Sequence, residues 1–471
     1  MVMSNNISNI TFVKFSKLYN WSVQYLIEDT FSFKQDFPFV PIGKFLKRNK
    51  TNVEILNGIQ YKRVTIKTNN GGVYLRDIQI GDKIGTKNQF LIKEGQFLLS
   101  KIDARNGAFG VVTSDVDGAI ITGNFWTFDV DYTQINPHYL TLITTTPEFI
   151  KFCENSSTGT TNRHYLQENL FLAVEIPLPP LDDEDAKEKK VSNEITQKKL
   201  VDAYYQKIID AENAKIKAKE TEKEIEKYLL KELGVENILN SHGINGLTFI
   251  NFKNLDRWDV LSLQSQSLNI KSIYNTVKLS SLITCFNYDI DRKSLRFETY
   301  KYPNEEFYYL GMENVERDTG KLIDLPIVKG SQIKSQTLKV PKDFIIYGKL
   351  RPYLNKYWHN TSDFSDIVCS SEFFVFNIDE SKIDKSYFLD VLSSSIVQRQ
   401  ISDKYSGVRM PRISSSDFYN LEIPLPSDKN LQQIISNNIR KLRLQASDYN
   451  DVSNNLVKEA LVDFEKTIFK N

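Results

Sequence analysis

Two stretches of the chain place basic side chains directly after a strongly apolar segment. They are FLLSKIDARNGAFG at residues 97–110 and FIIYGKLRPYLNKYW at residues 344–358. Each apolar run predicts a buried strand that ends in a polar loop. Lysine supplies a point charge for a phosphate, whereas arginine can bond two acceptors on the edge of a guanine. The candidate contact residues of these loops are Lys101, Arg105, Lys349, Arg351, Tyr353 and Lys356.

A second pair of loops carries the other basic candidates. They are TGTTNRHYL at residues 158–166 and SGVRMPRI at residues 406–413. In each, a glycine and an arginine lie in a short polar segment just before an apolar run that closes a domain. The candidates there are Arg163, His164, Arg409 and Arg412. The alternative for any one of them is ordinary solvated charge, and for His164 a surface or core histidine is the favoured interpretation.

The chain contains an internal repeat with a long, nearly constant period. The matched segments are residues 10–23 with 247–260, residues 123–131 with 371–379, and residues 174–179 with 421–426. Lys101 and Lys349 occupy matching places 248 positions apart. A fixed long period indicates a duplicated structural unit. Two similar units in one chain can form a pseudo-two-fold object, which suits a two-fold target such as duplex DNA.

None of the common catalytic motifs occurs in the sequence. It lacks the phosphate-binding loop GxxxxGK[ST], the HExxH zinc motif, the GxSxG elbow, and the Asn/Asp-Pro-Pro-aromatic tetrapeptide of amino-methyltransferases. The histidines are His138, His164, His242 and His359, without metal-ligand spacing. We therefore expect a protein without enzymatic activity or a metal site of its own.

Composition narrows the class of protein further. The net charge is +1, from 60 basic and 59 acidic residues, which argues against coating nucleic acid by bulk charge but permits a local basic groove. The 3 cysteines lack CxxC spacing, as expected in a reduced compartment. No stretch approaches the roughly 20 apolar residues that span a bilayer, and the N-terminus lacks a signal-peptide layout. The expected location is cytoplasmic, with no membrane contact.

The repeat predicts four consecutive parts. A first β-rich domain covers residues 1–180, a helical arm residues 181–235, a second β-rich domain residues 236–426, and a second arm residues 427–471. Aromatic and β-branched runs predict strands within residues 61–68, 90–102, 107–114 and 119–131. The prolines of VEIPLPP make residues 174–180 an edge segment that closes the first domain.

Both arms have the composition of long helices. From Leu181, a segment rich in Lys, Glu and Ala predicts one helix of about 50 residues, roughly 70–75 Å long, ending at Gly234. The second arm has an apolar heptad pattern, whose seam is Ile435, Ile439, Leu442, Ala446, Tyr449, Leu456 and Ala460. VSNEI at residues 191–195 and ISNNI at residues 435–439 are taken as the same place in the two arms. Because the first helix leaves one domain and the second returns, we expect them to pair as an antiparallel coiled coil.

The order of these segments resembles that of the specificity subunits of type I restriction-modification systems. The resemblance extends over essentially the whole length, as a domain, an IPLP segment and a long helix, followed by the same series again. It implies two target recognition domains in an α+β fold, each reading one half of a split DNA sequence. It also implies that the paired helices space the two domains and dock two modification subunits.

The same resemblance assigns all cofactors to partner subunits. The modification subunits would carry adenine methylation with S-adenosylmethionine, and restriction or translocase subunits would use ATP and Mg. This chain would hold no cofactor and would contact double-stranded DNA and those partners only.

Two other interpretations remain open at this point. One is the recognition region of a fused methyltransferase-nuclease. The missing methylation tetrapeptide counts against it in this chain, unless the catalytic part is a separate polypeptide, which leads back to the subunit interpretation. The other is a coiled-coil scaffold whose duplicated domains bind proteins. In the DNA-reading interpretation, two readers on a rigid spacer with half-sites about one DNA turn (~34 Å) apart predict a bipartite target with a fixed gap.

Overall fold

A computed structural model describes residues 33–68, 71–158, 165–235, 271–402, 404–405 and 409–470. The best-matched repeat segments, residues 10–23 and 247–260, lie outside these ranges. The chain divides into two compact units. The first unit comprises residues 1–215 and 451–471, and the second comprises residues 216–450. Each unit thus holds one β-rich domain and a part of each of two long helices.

The first unit is built from short strands. They are β1 (Phe39–Pro41), β2 (Leu46–Asn49), β3 (Asn52–Glu54), β4 (Gln60–Lys67), β5 (Gly72–Ile80), β6 (Asn88–Leu91), β7 (Phe97–Ser100), β8 (Phe109–Val111), β9 (Ile120–Ile121), β10 (Phe125–Val130), β11 (Ser157–Thr158), β12 (Tyr165–Leu166) and β13 (Glu175–Pro177). A four-stranded sheet has the order β2-β10-β7-β8, and a five-stranded sheet has the order β3-β6-β9-β4-β5. β1 pairs with β13, and β11 pairs with β12.

The second unit repeats this topology. Its strands are β14 (Thr276–Lys278), β15 (Ile283–Phe286), β16 (Arg296–Phe297), β17 (Glu306–Leu310), β18 (Ile327–Lys329), β19 (Thr337–Lys339), β20 (Ile345–Gly348), β21 (Tyr357–His359), β22 (Ile367–Ser370), β23 (Phe373–Ile378) and β24 (Glu422–Pro424). The sheets have the orders β15-β23-β20-β21 and β16-β19-β22-β17-β18, and β14 pairs with β24. Each five-stranded sheet contains the corresponding parallel pair, β4 with β9 and β17 with β22. The predicted duplication and the α+β class are confirmed.

The strand predictions hold in position but not always in extent. Residues 61–68 form most of β4, and the VEIPLPP segment contains β13, which pairs only with the short β1. Residues 90–102 and 119–131 each divide into two strands that belong to different sheets. Between β6 and β7 the chain turns at Gly95, whose φ of +82° favours glycine.

Aromatic side chains fill the core beneath each four-stranded sheet. In the first unit the rings of Phe97 and Phe171 stack with centroids 6.3 Å apart. In the second unit Phe376 and Phe418 lie 5.5 Å apart, and all four residues are fully buried. Phe97 lies on β7, and Phe376 lies on β23 opposite Ile345 of β20, so these rings anchor the strand pairs whose ends carry the predicted lysines.

The helices include two that are far longer than the rest. They are α1 (Pro137–Thr144), α2 (Pro147–Asn155), α3 (Glu168–Ala173), α4 (Asp183–Glu188), α5 (Gln197–Glu232), α6 (Lys385–Leu392), α7 (Ser395–Ser402), α8 (Ser415–Tyr419) and α9 (Lys429–Ile468). With 36 residues, α5 is about 54 Å long, and with 40 residues α9 is about 60 Å long. The prediction of one helix of about 50 residues from Leu181 is therefore wrong.

A local stop after α4 explains that error. Asp182 caps α4, since its carboxylate accepts hydrogen bonds from the N–H groups of Glu184 and Asp185. Lys190 then adopts a left-handed conformation with φ of +56°, and the N–H of Val191 bonds back to the carbonyl of Ala186 at 3.0 Å. This closes the short helix, and the chain forms a loop before α5 begins.

Two buried glutamines show which positions of the long helices correspond. The Gln197 side chain accepts the N–H of Asn136 at 2.8 Å and donates to the carbonyl of Pro179 at 2.8 Å. Gln432 makes the same two bonds, accepting the N–H of Asp384 at 2.7 Å and donating to the carbonyl of Pro426 at 2.7 Å. Gln197 and Gln432 are therefore equivalent, and the alignment of VSNEI with ISNNI is wrong. VSNEI precedes α5, whereas ISNNI lies inside α9.

The long helices pair in opposite directions. Within the second unit, Asn438 donates to the hydroxyl of Tyr228 at 2.8 Å, and the Lys217 ammonium lies 6.0 Å from the Tyr449 ring centroid. Moving forward along α5 thus means moving backward along α9. Within the first unit, Lys207 of α5 pairs with Asp463 of α9 at 2.5 Å.

The predicted seam lies on the inner side of α9. Its buried members are Ile435, Ile439, Ala446 and Ala460, and its half-buried members are Leu442, Tyr449 and Leu456. After Ala460 the buried positions continue at Phe464 and Ile468, four residues apart. This spacing of four residues departs from the alternating spacings of three and four residues that define a heptad.

Candidate nucleic-acid interface

Lys101 and Lys349 occupy the same structural position at the ends of β7 and β20. The N–H of Lys349 donates to the carbonyl of Glu372 at 2.7 Å, and its carbonyl accepts the N–H of Ile413 at 3.1 Å. The N–H of Lys101 donates to Asn124 at 3.0 Å, and its carbonyl accepts from Leu166 at 2.9 Å. Both lysines are thus held between the neighbouring strand of the sheet and the segment that follows the second basic loop.

The turns after the two lysines fold alike despite their different sequences. A short 3-10 turn covers Ala104–Asn106 in the first unit and Pro352–Leu354 in the second. Each turn ends on a left-handed residue, Gly107 with φ of +73° and Asn355 with φ of +48°. The KIDARNGAFG and KLRPYLNKYW segments therefore share the turn and its left-handed end, but they differ just before it, where Arg351 is left-handed and Asp103 is not.

Each lysine holds its ammonium group beside an aromatic ring. The Lys101 Nζ lies 5.2 Å from the Tyr165 ring centroid, and the Lys349 Nζ lies 5.2 Å from that of Phe374. Both lysines are half-buried. Burial lowers the pKa of Lys349, Glu372 opposes that shift, and the charges of Arg296 and Arg412 add to it. An anion such as a phosphate would stabilise the charge of Lys349.

Arg412 faces a carboxylate across the end of the sheet. Its guanidinium makes two hydrogen bonds to Glu372, at 2.9 and 2.8 Å. The Arg412 side chain is 45% exposed, so the pair lies at the surface. The hydrogen bonds from Arg412 lower the pKa of Glu372, which keeps it ionised. Glu372 thus orients Arg412 and also opposes the approach of an anion.

Sequence reasoning missed Glu372 and Arg296. Glu372 lies inside the repeated segment SEFFVFNID, but its pairing with a residue 40 positions away leaves no local pattern. No pattern in the sequence connects Arg296 to Lys349 either.

Two further candidates of the second unit project from the turn. Arg351 is exposed and has φ of +48°, and its N–H donates to the carbonyl of Pro411 at 2.7 Å. Tyr353 is 44% exposed, with its ring centroid 5.9 Å from that of Tyr405. The end of β20 and the segment before α8 thus bring Lys349, Arg351, Tyr353 and Arg412 together.

The remaining candidates have different surroundings. Lys356 is half-buried and donates to the carbonyl of Met312 at 2.5 Å, so its ammonium group fixes a loop. Arg105 is half-buried on the turn after Lys101, and Arg409 is exposed. Arg163 and His164 lie outside the described residues.

The described residues contain no cluster of His, Cys, Asp or Glu suited to a metal ion. Among the helices in this part of the chain, none is long and apolar enough to cross a membrane.

The second unit has a recognisable sequence family. Residues 271–456 match the family model described as the type I restriction modification DNA specificity domain. These residues include all of β14–β24 and most of α9. This match assigns the second unit to the family of type I restriction modification DNA specificity domains. No curated protein sequence matches this chain.

Comparison with solved structures extends the likeness to both units. One solved chain is described with the words "Structural basis underlying complex assembly and conformational transition of the type I R-M system". It aligns with a TM-score of 0.56 at 12% identity, and the alignment covers 93% of this chain and 98% of that one. The HsdS subunit from Thermoanaerobacter tengcongensis aligns with a TM-score of 0.44 at 13% identity, covering 93% and 98% of the two chains. The S subunit from M. genitalium gives 0.43 at 13% identity, covering 94% and 99%.

The family match thus concerns the second unit, and it is to a DNA specificity domain rather than to a catalytic one. The fold shared with the chain of a type I R-M system covers 93% of this chain, so it includes the first unit, whose topology repeats that of the second.

Proposed function

We propose that the two units read the two halves of a bipartite DNA target. The observation that carries this proposal is the equivalence of Lys101 and Lys349, which share a strand end and the same pair of backbone hydrogen bonds. A duplicated reader is suited to two half-sites, and the paired long helices are suited to fixing the gap between them.

Each unit would use its strand end and adjoining loop in two ways. Lys101 and Lys349 would contact phosphates, because a lysine charge beside an aromatic ring gains from a nearby anion. Arg351, Tyr353, Arg409 and Arg412 would face base edges or the backbone in the second half-site, and Arg105, Arg163 and His164 would do so in the first. Lys356 is left out, because its ammonium group is bonded to Met312.

The long helices would position the catalytic partners. Two modification subunits, which carry adenine methylation with S-adenosylmethionine, would dock on α5 and α9, and restriction or translocase subunits with ATP and Mg would join them. Support comes from the solved complex of a type I system that shares this fold. In this arrangement the chain brings specificity and its partners bring the chemistry.

The test replaces one exposed reader in a host that expresses the complete system. Arg351→Ala removes a guanidinium at the second strand end, whereas the matched control Lys382→Ala removes a cation near the opposite end of β23. Modification-sensitive long-read sequencing would map methyladenine in each strain. We expect Arg351→Ala to relax one half of a split motif and to leave the other half intact. Loss of a contact to one base pair should cost about 1–3 kcal/mol.

Two results would oppose the proposal. An undivided motif in the wild type would remove the need for two readers. Equal relaxation of both halves by Arg351→Ala would show that the second unit is not assigned to one half-site.

A further inference from the structure

An exposed group of aromatic residues lies at the edge of the five-stranded sheet in the second unit. β16 is the first strand of the order β16-β19-β22-β17-β18. The ring of Phe297, on this strand, stacks on Tyr302 with centroids 5.3 Å apart and planes 5° apart. Tyr302 is 42% exposed and the neighbouring Tyr300 is 63% exposed. Burying such rings against a partner would release water from a sizeable apolar area.

One basic side chain borders these rings, and a second lies on the same edge strand. The Lys339 Nζ lies 4.4 Å from the Phe297 ring centroid, and Lys339 is otherwise exposed. Arg296 is exposed on the same edge strand opposite Leu338 of β19, so it lies at this edge on the other face from Phe297. Lys301 is paired with Glu298 and adds no net charge. We call Arg296, Phe297, Tyr300, Tyr302 and Lys339 the β16 edge.

The β16 edge is continuous with the end of β20. Thr337, opposite Phe297, is also paired with Ser370, and the N–H of Ser371 donates to the carbonyl of Gln336 at 3.0 Å. The next residue is Glu372, whose carbonyl holds Lys349. Arg296 also interacts electrostatically with Lys349. Burial is the main cause of the lowered pKa of Lys349, and the charge of Arg296 lowers that pKa further.

The first unit lacks these charges. By strand pairing, the counterpart of Arg296 is Asn52, since Asn52 pairs with Phe90 as Arg296 pairs with Leu338. The counterpart of Lys339 is Leu91, the next residue of β6. The two cations are therefore not a requirement of the shared fold.

We propose that the β16 edge binds the sugar-phosphate backbone of duplex DNA that flanks the second half-site. Arg296 and Lys339 bind phosphates, and Tyr300 packs against a deoxyribose. This inference rests on the proposed function and enlarges the contact made by the second unit. Exposed arginine and lysine beside aromatic rings match a phosphate backbone in charge and in shape. The edge therefore adds affinity and no base preference.

The test measures duplex binding by the full chain assembled with its modification subunits. The probe is a fluorescent duplex with the methylated motif, titrated at several salt concentrations. Arg296→Gln/Lys339→Gln removes the two cations, and Lys382→Gln/Lys429→Gln removes two that lie beside Asp379 and Glu380 instead. We expect the first pair to reduce the slope of log affinity against log salt by about 1.8, since each phosphate contact contributes about 0.9. The control pair should leave the slope unchanged.

Each outcome separates the two proposals. Selective binding by the wild type with an unchanged slope in Arg296→Gln/Lys339→Gln overturns the β16 edge and leaves the bipartite reader standing. Weaker methylation with unchanged DNA binding would assign the edge to a partner protein and also overturn the inference. A wild type without selective binding removes the proposed function itself. Tyr300→Ala provides a second variant, which should fold because the Tyr300 side chain is 63% exposed. It should weaken the binding of all duplexes equally.

Discussion

A buried polar cluster between α6 and α9 gives a sharp test of how the second unit holds its helix. Asp390 is 4% exposed and accepts hydrogen bonds from Ser436 at 2.7 Å and from Arg443 at 2.5 Å. Removing Arg443 alone would leave the Asp390 carboxylate away from water, with the Ser436 hydroxyl but without its cationic partner. A broken buried pair costs about 3–5 kcal/mol. The lower value applies here, because the Arg443 side chain is 43% exposed.

The equivalent site in the first unit shows which residues a control variant should carry. Matching Tyr139 with Tyr387 and Gln197 with Gln432 aligns Asp390 with Leu142, Ser436 with Val201, and Arg443 with Ile208. The same site is thus apolar in the first unit. The triple variant Asp390→Leu/Ser436→Val/Arg443→Ile should be as stable as the wild type or more so, since apolar packing often replaces a buried ion pair without loss.

Calorimetry of the full chain distinguishes these cases. For a unit of this size, 1 kcal/mol shifts the melting temperature by about 2–4 °C. Arg443→Met should therefore lower the transition of the second unit by about 6–12 °C, while the triple variant should not lower it. A small shift in Arg443→Met, or a large loss in the triple variant, would refute the reasoning.

The pH dependence has a definite sign. Burial raises the pKa of the Asp390 carboxyl, and Arg443 and Ser436 oppose that shift. The folded state therefore binds this proton more tightly than the unfolded chain. Its stabilising contribution is complete below the unfolded pKa and is lost as pH rises through the folded pKa. The triple variant should lack this part of the decline.

Three further changes test other parts of the structure by the same melting measurement. Tyr387→Phe removes a buried hydroxyl that donates to the carbonyl of Pro424 at 2.7 Å, and should cost about 1 kcal/mol. Gln432→Ala removes both bonds of the buried amide and should cost about 2–3 kcal/mol, whereas the exposed Gln433→Ala should cost little. Glu465→Leu should stabilise the first unit, because the Oε1 atom of Glu465 is buried and has no hydrogen-bond partner among the described residues. The gain should be larger at high than at low pH, because burial and then Glu148 raise the pKa of Glu465.

The sequence predicted the architecture because the repeated segments are structural. VEIPLP and LEIPLP contain β13 and β24, which close equivalent two-stranded sheets, and residues 61–68 form most of β4. Lys101 and Lys349 could be matched from the sequence because they follow apolar strands that keep their length in both units.

Other features depend on contacts between distant residues and left no local pattern. The start of α5 is held by the bonds of Gln197 to Asn136 and Pro179, whereas the segment before it is as polar and helix-compatible as α5 itself. The pairing of Arg412 with Glu372 across the sheet end is of the same kind.

The central claim is that this chain gives its system the sequence that is methylated. The most direct measurement is modification-sensitive long-read sequencing of the host genome with the gene present and deleted. Deletion should abolish methyladenine at one split motif, whose two parts are separated by a gap of fixed length. Unchanged methylation, with the modification subunit shown to be expressed, would contradict this claim.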